Sequence, residues 1–369
     1  MQRIWLCCCL LLLIGCVEKA PPDSGINLNA ALGGIADAGF ARATQPRPFS
    51  FPQDHAAHPA FRNEWWYVTG NLTAENGQAF GYQVTFFRIA LSPQAPAMAS
   101  DWASNQVWMV HVALTDVQQQ IHYDAQRFVR GAAGLAGQST QPFRVWAEDW
   151  QMVGNGQGNF PWAIGIKTEN FALNLQLRPS KPVVLQGNQG LSQKSAEAGN
   201  ASYYYSLTRL NTLGDLQVKG QYHRVTGQSW LDREWSTSAL GKQQAGWDWF
   251  SLQFNDGHDL MFYRLRKQDG SSDAHSSGKW IDAQGNAQTL TQAEVRLTPI
   301  RYWQDSQGQR YPVAWRMQIP HLGQDFKVSA WVDDQQMNTA VLYWEGAVSI
   351  TDSQTDKPLG LGYLELSGY

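Results

Sequence analysis

Apolar and polar residues alternate with period two along most of this chain, and turn residues interrupt the alternation every eight to fifteen positions. The pattern predicts strands over residues 64–72, 80–89, 106–115, 143–153, 171–177, 203–210 and 216–225. It predicts a second run over 247–254, 259–265, 293–297, 313–319, 326–331, 341–350 and 360–366. Asn76-Gly77, Asp256-Gly257, Asp269-Gly270 and Gln307-Gly308 supply hairpin turns. No long stretch carries a helical apolar stripe. The expected fold is therefore all-β, with two antiparallel sandwiches or barrels.

Two domains follow from length as well. The segment from about Phe49 to Tyr369 holds roughly 320 residues, more than one hydrophobic core usually serves. An internal echo points the same way. Trp65-Trp66-Tyr67, then Asn76-Gly77, then an aromatic strand ending at Arg88 is matched by Trp247-Asp248-Trp249, then Asp256-Gly257, then a strand ending at Arg266. The expected domains are 48–229 and 230–369.

The first residues have a different pattern. Arg3 precedes an apolar run from Ile4 to Ile14, too short to span a bilayer and suited to a secretory signal. Leu13-Ile14-Gly15-Cys16 reads as a bacterial lipoprotein cleavage box, so residues 1–15 are expected to be removed and Cys16 to be lipidated. Val17 and Glu18 follow, without the aspartate associated with inner-membrane retention, so the expected location is the periplasmic side of the outer membrane. Residues 16–47, rich in Pro, Gly, Ala and Asn, read as a flexible tether.

Loss of residues 1–15 deletes only Arg3 and moves the net charge from −3 to about −4, which argues against a nucleic-acid partner. It also removes Cys7, Cys8 and Cys9. Only Cys16 then remains, so no disulfide framework, thiolate nucleophile or cysteine metal site is expected.

Candidate chemistry concentrates between residues 230 and 250, where Trp230, Trp235, Trp247 and Trp249 lie among Asp232, Glu234 and Asp248. Carboxylates beside buried indole must be paired, hydrogen-bonded or shifted in pKa. Alternation sets Trp230, Asp232 and Glu234 on one side of the strand and Leu231, Arg233 and Trp235 on the other. Asp232, Glu234 and Asp248 are the candidate acids and bases, and Glu64 is a further one. The structural reading of the same residues pairs Arg62 and Arg233 with Glu64, Glu234 or Asp248 to close a barrel mouth or an interdomain seam.

Other constellations carry less. Asp54, His55 and His58 have a metal-like spacing, but Pro52 and Pro59 argue against one helix presenting both histidines. His111 lies within a strand as a core or cavity-lining polar group. Gly154 to Gly158 is glycine-rich without a helix to follow, which argues against phosphate binding. No Gly-x-Ser-x-Gly elbow and no His-Glu-x-x-His occurs. No metal or cofactor is expected.

Several longer motifs resemble one family. They are Asp54-His55 with His58, Phe61 to Tyr67, Trp230 to Ser236, Gly246-Trp247-Asp248-Trp249-Phe250, Tyr343-Trp344-Glu345-Gly346 and Gly362 to Tyr369. Together they resemble the carotenoid 1,2-hydratase (hydroxyneurosporene synthase) and AttH-like proteins. That resemblance implies two lipocalin-like domains packed side by side and, for one branch, addition of water to a terminal carotenoid double bond. Glu64, Trp65, Trp66, Tyr67, His111, Trp230, Arg233, Trp235, Trp247, Trp249, Tyr343 and Trp344 are the candidate ligand contacts.

Two functions remain open on these residues. The favoured one is a lipid-anchored protein that binds a long isoprenoid or acyl ligand and hands it to an ABC-type transporter. The other is a hydratase using carboxylate acid–base chemistry. Binding expects salt-bridged acids beside an apolar cavity, whereas catalysis expects an acid of raised pKa there.

Overall fold

The computed structural model describes residues 38–155, 160–237 and 240–369. Cys16, the signal segment and most of the expected tether lie outside the described residues, as does part of the glycine-rich loop. The described chain is almost entirely strand.

Thirteen strands form the first sheet. They are β1 (Asn63–Ala74), β2 (Ala79–Ala90), β3 (Gln106–Asp116), β4 (Ile121–Arg130), β5 (Ala136–Thr140), β6 (Phe143–Ala147), β7 (Trp150–Gly154), β8 (Trp162–Lys167), β9 (Phe171–Pro179), β10 (Val184–Leu185), β11 (Leu191–Gln193), β12 (Ala201–Val218) and β13 (Gln221–Ser236). Ten more form the second: β14 (Gln244–Phe254), β15 (Asp259–Lys267), β16 (Ser277–Ile281), β17 (Ala287–Thr291), β18 (Arg296–Gln304), β19 (Arg310–Ile319), β20 (Gln324–Ala330), β21 (Gln336–Asn338), β22 (Leu342–Asp352) and β23 (Pro358–Ser367). Both sheets are antiparallel and curl like barrels around their own cores. The fold is that of two lipocalin-like domains.

Corresponding hairpins occupy corresponding places. The order β3-β2-β1-β13 in the first sheet is answered by β16-β15-β14-β23 in the second, so each sheet's opening hairpin pairs with its final strand. The echo between Trp65–Arg88 and Trp247–Arg266 thus has a structural counterpart.

Local turn chemistry explains where the expected strands differ. Residues 203–210 and 216–225 are not separate strands, because β12 runs unbroken to Val218 and turns at Lys219-Gly220. Both residues have positive φ, 47° and 85°, which suits a tight hairpin whose twist matches its flanking strands. A similar turn at Glu148, φ 56°, splits the expected strand 143–153 into β6 and β7. The chain changes sheets between Ser236 and Gln244. Trp230 to Trp235 therefore belongs to the last strand of the first sheet and does not open the second domain.

Two cores fill the barrels, one around Trp66, Phe86, Trp162 and Leu231, the other around Phe250, Trp315, Trp344 and Leu364. A third aromatic layer lies between them, built from Tyr67, Tyr204, Trp230, Trp249, Tyr263 and Tyr363. The sheets approach closely there. A side chain at Gly81 would bring its Cβ within 2.5 Å of the Ala347 Cβ. Lys181 and Arg209 of the first unit hold Asp259 of the second at 2.7 and 2.6 Å, and Gln253 Nε2 donates to the Thr208 carbonyl at 2.7 Å. Satisfied polar contacts and buried rings thus lock the two units together.

Candidate active site

Between the barrels lies a partly open cavity of about 100 Å³. Its position follows from alternation: β1 sends Trp65 and Tyr67 into it, and Trp66 into the first barrel core. In β13, Asp232 and Glu234 face the cavity while Leu231 and Arg233 turn away, and in β14 Trp247 and Trp249 face it while Phe250 turns to the second core. β22 and β23 close the far side with Tyr343, Glu345 and Glu365. Phe87, Leu240 and Leu265 complete the apolar part of the wall.

Four carboxyls line this space with one ammonium. Lys194 Nζ lies 3.0 Å from Glu234 Oε1 and 4.2 Å from the Tyr263 ring centroid. Burial opposes its charge, but Glu234 outweighs that and raises its pKa. Glu234 therefore has its counter-ion.

The other three carboxyls do not. Asp232 accepts from Tyr204 Oη at 2.5 Å, Ser206 Oγ at 2.5 Å and Trp230 Nε1 at 2.7 Å. Burial still pushes its pKa up to about 7, because neutral donors offset only part of the desolvation cost. Glu365 accepts from Trp247 Nε1 at 2.9 Å and is pushed up to about 8 by burial and by the neighbouring charges of Asp232 and Glu234. Glu345 sits directly opposite Glu365 in the β22–β23 ladder. Burial first, then the Glu365 charge, drive it well above the usual carboxylate range. Neither of its oxygens has a hydrogen bond of ordinary geometry among the described residues. The Glu345–Glu365 pair cannot hold two charges in so little water, so it retains a proton near neutrality.

His111 lies behind this wall, its Nδ1 2.9 Å from Tyr343 Oη. Burial pushes the imidazole down to about 3, so it is neutral.

The residues singled out in the sequence divide into two groups. Asp232, Glu234, Trp65, Tyr67, Trp247, Trp249 and Tyr343 meet at the cavity, with Trp230 and His111 hydrogen-bonded to its lining. Glu64, Trp66, Arg233 and Trp235 lie on the other face of β1 and β13. Arg88 pairs with Glu64 through Nε, Arg233 Nη2 is 3.1 Å from Glu64 Oε2, and the Arg233 guanidinium lies 3.9 Å from the Trp66 ring centroid. His58 stacks on Trp235 at 3.7 Å and reaches both Asp54 and Glu64, while His55 bonds Tyr205. Burial opposes the Glu64 charge, but Arg88, His58 and Arg233 prevail and hold its carboxyl below the usual range.

Asp248 and Trp344 also face away from the cavity. Trp344 is in the second core. Asp248 is fully buried with Arg264 and Arg266 each 3.3 Å away, and it accepts from Tyr369 Oη at 2.6 Å. Its pKa is nevertheless raised, burial outweighing the two guanidiniums.

Among the cavity residues that were not site candidates in the sequence are Glu345, Glu365, Lys194, Tyr204 and Tyr263. A signal existed for the first two. Each is a carboxylate set within an apolar run, 342–348 or 359–366, and spaced two residues from a tyrosine, Tyr343 or Tyr363.

Comparison with known proteins follows the same architecture. A family model described as AttH-like matches residues 42–369. A crystal structure of an AttH homologue from Nitrosomonas europaea is 36% identical, with a TM-score of 0.79 over 89% of this chain and 100% of that one. Kievitone hydratase from Nectria haematococca superposes with a TM-score of 0.64 at 16% identity, covering 89% of this chain and 98% of that chain. CghA crystallised with Sch210972 gives 0.54 at 12% identity, over 90% and 98%. The last two likenesses concern the fold alone. No curated protein matches.

Proposed function

The chain belongs to the AttH-like family, and from that premise we propose that it is a hydratase-type enzyme, adding water to a carbon–carbon double bond of an apolar substrate held between its two barrels. One observation carries this reading: three buried carboxyls without a counter-ion, all of raised pKa, converge on one apolar cavity. A pure carrier gains nothing from such groups, each of which is costly to bury. An acid catalyst needs them. The sequence favoured a carrier; the unpaired acids favour chemistry. The hydratase among the fold's neighbours adds support at the level of architecture.

The environments divide the roles. Glu345, deeply buried and facing the Glu365 charge with only the Tyr67 and Tyr343 hydroxyls to oppose those effects, keeps its proton and serves as the acid. Asp232, with three donors, ionises first and serves as the base. Glu345 protonates one alkene carbon, the π pair forming the new C–H bond and leaving a cation on the other carbon. Facing indoles of Trp65, Trp247 and Trp249 stabilise that cation. A water oxygen bonds to it and passes a proton to Asp232, and solvent exchange returns the proton to Glu345. At about 100 Å³ the enclosed space is smaller than the roughly 150 Å³ that holds a benzene ring, so it admits only the last few carbons of a prenyl-like chain, the rest leaving through its open side.

The test is extraction of the purified chain with organic solvent, identification of bound apolar compounds by mass spectrometry, and incubation of each in heavy-oxygen water. Label uptake abolished by Glu345→Gln and Asp232→Asn is the expected result. A retained ligand that never takes up label would sink the enzymatic reading and leave a carrier, as expected for an anchored protein that delivers its ligand to a transporter.

A further inference from the structure

Leu91, Met98 and Trp102 are 68, 73 and 62% exposed, and all belong to the single loop that joins β2 to β3. Over residues 91–104 that loop contains one ionisable side chain, Asp101. Arg130 Nη2 donates to the Trp102 carbonyl and ties the loop to the end of β4, where Phe128 is 53% exposed. Four large apolar side chains at one end of the molecule are more than scattered surface residues.

Two independent features say what covers them. The described chain begins at this loop: Gly39 runs so close to Pro93 that a Cβ there would lie 2.9 Å from the proline ring. Cys16, where lipid is expected once residues 1–15 are removed, precedes Gly39 by only 23 residues. An apolar path also leads inward from the loop. Phe87 lines the cavity, Ile89 is half-buried on the same face of β2, and Leu91 continues that alternation into solvent.

We infer that the 91–104 loop, with Phe128, docks on a lipid surface and opens the inter-barrel cavity toward it. Indole prefers the membrane interface, and small residues such as Ala95, Ala97 and Ala99 allow the loop to lie flat there. The N-terminal segment and the loop then meet the same bilayer, and an apolar ligand passes from the lipid along Leu91, Ile89 and Phe87 without crossing water. The inference concerns the surface and stands whether the cavity performs chemistry or only binds.

Photo-crosslinking tests it directly. The full chain is reconstituted into phosphatidylethanolamine–phosphatidylglycerol vesicles in which a fraction of the acyl chains bear a diazirine, irradiated, and mapped by mass spectrometry. Adducts are expected within 91–104 and at Phe128 as well as in the N-terminal segment, and not at the exposed Tyr222 or Ile300 on other strands. Met98→Asp with Trp102→Asp should cut loop adducts about tenfold, with unchanged circular dichroism and unchanged N-terminal labelling. Adducts confined to the N-terminal segment, or as frequent at Tyr222 as in the loop, would overturn the inference. So would cross-links joining the loop to a second copy of the chain in place of lipid.

Discussion

Glu64 and Asp232 lie on paired strands, Glu64 opposite Trp235 and Asp232 opposite Tyr67, and both are buried. Their chemistry is opposite. Glu64 points into the first barrel, meets Arg88, Arg233 and His58, and stays ionised far into acid. Asp232 points out of that barrel toward the second sheet, meets only hydroxyls and an indole, and titrates near neutrality. Successive residues on a strand face opposite environments, so a single step in the sequence separates a structural ion pair from a protonatable acid.

The comparison is most sharply broken by removing the compensation. Glu64→Gln leaves Arg88 and Arg233, both buried, without the carboxylate they share and should cost about 3–5 kcal/mol of stability in urea unfolding. A loss below about 1 kcal/mol would contradict the ion-pair account.

Stability against pH comes next. Asp232 and Glu365 hold protons in the folded state that the unfolded chain releases at the usual carboxylate pKa. Stability contributed by these two groups is therefore full in acid and falls as pH rises toward about 7 and about 8, with a slope of up to about 1.4 kcal/mol per pH unit for each group. Glu64 has the opposite sign: its contribution is present at neutrality and is lost only as pH falls below the usual carboxylate range. Melting temperatures from pH 5 to pH 8 should fall, and Asp232→Asn with Glu365→Gln should flatten that fall.

Asp248 provides an intermediate case, buried like Asp232 but flanked by guanidiniums. Asp248→Asn should cost about 1–3 kcal/mol and leave the pH at which the cavity carboxyls titrate unmoved, read by carboxyl infrared bands. The smallest effect is expected from Tyr343→Phe, which loses the bond to His111, about 0.5–1.5 kcal/mol.

How much of this was legible depends on the residue. Trp65, Tyr67, Asp232 and Glu234 could be placed on shared faces because alternation is strict within a strand. The same rule contained a warning about Asp248, which sits between two cavity tryptophans in sequence and therefore points away from the cavity. Glu345 and Glu365 are ordinary carboxylates until β22 and β23 pair and bring them opposite each other. Lys194 was illegible, since it lies beyond the short strand β11 in a polar connection and acquires its role only through Glu234. β4 and β17 escaped detection for a related reason: edge strands with mixed exposure blur the period-two signal.

By itself the sequence determined the all-β fold, the two-unit organisation and the face on which most candidate side chains lie, because those depend on local periodicity and turn chemistry. Which face becomes a site was decided only by the tertiary structure. The cavity exists where the outer face of one barrel meets that of the other, and the charge state of each carboxyl depends on whether a cation from a distant strand arrives beside it.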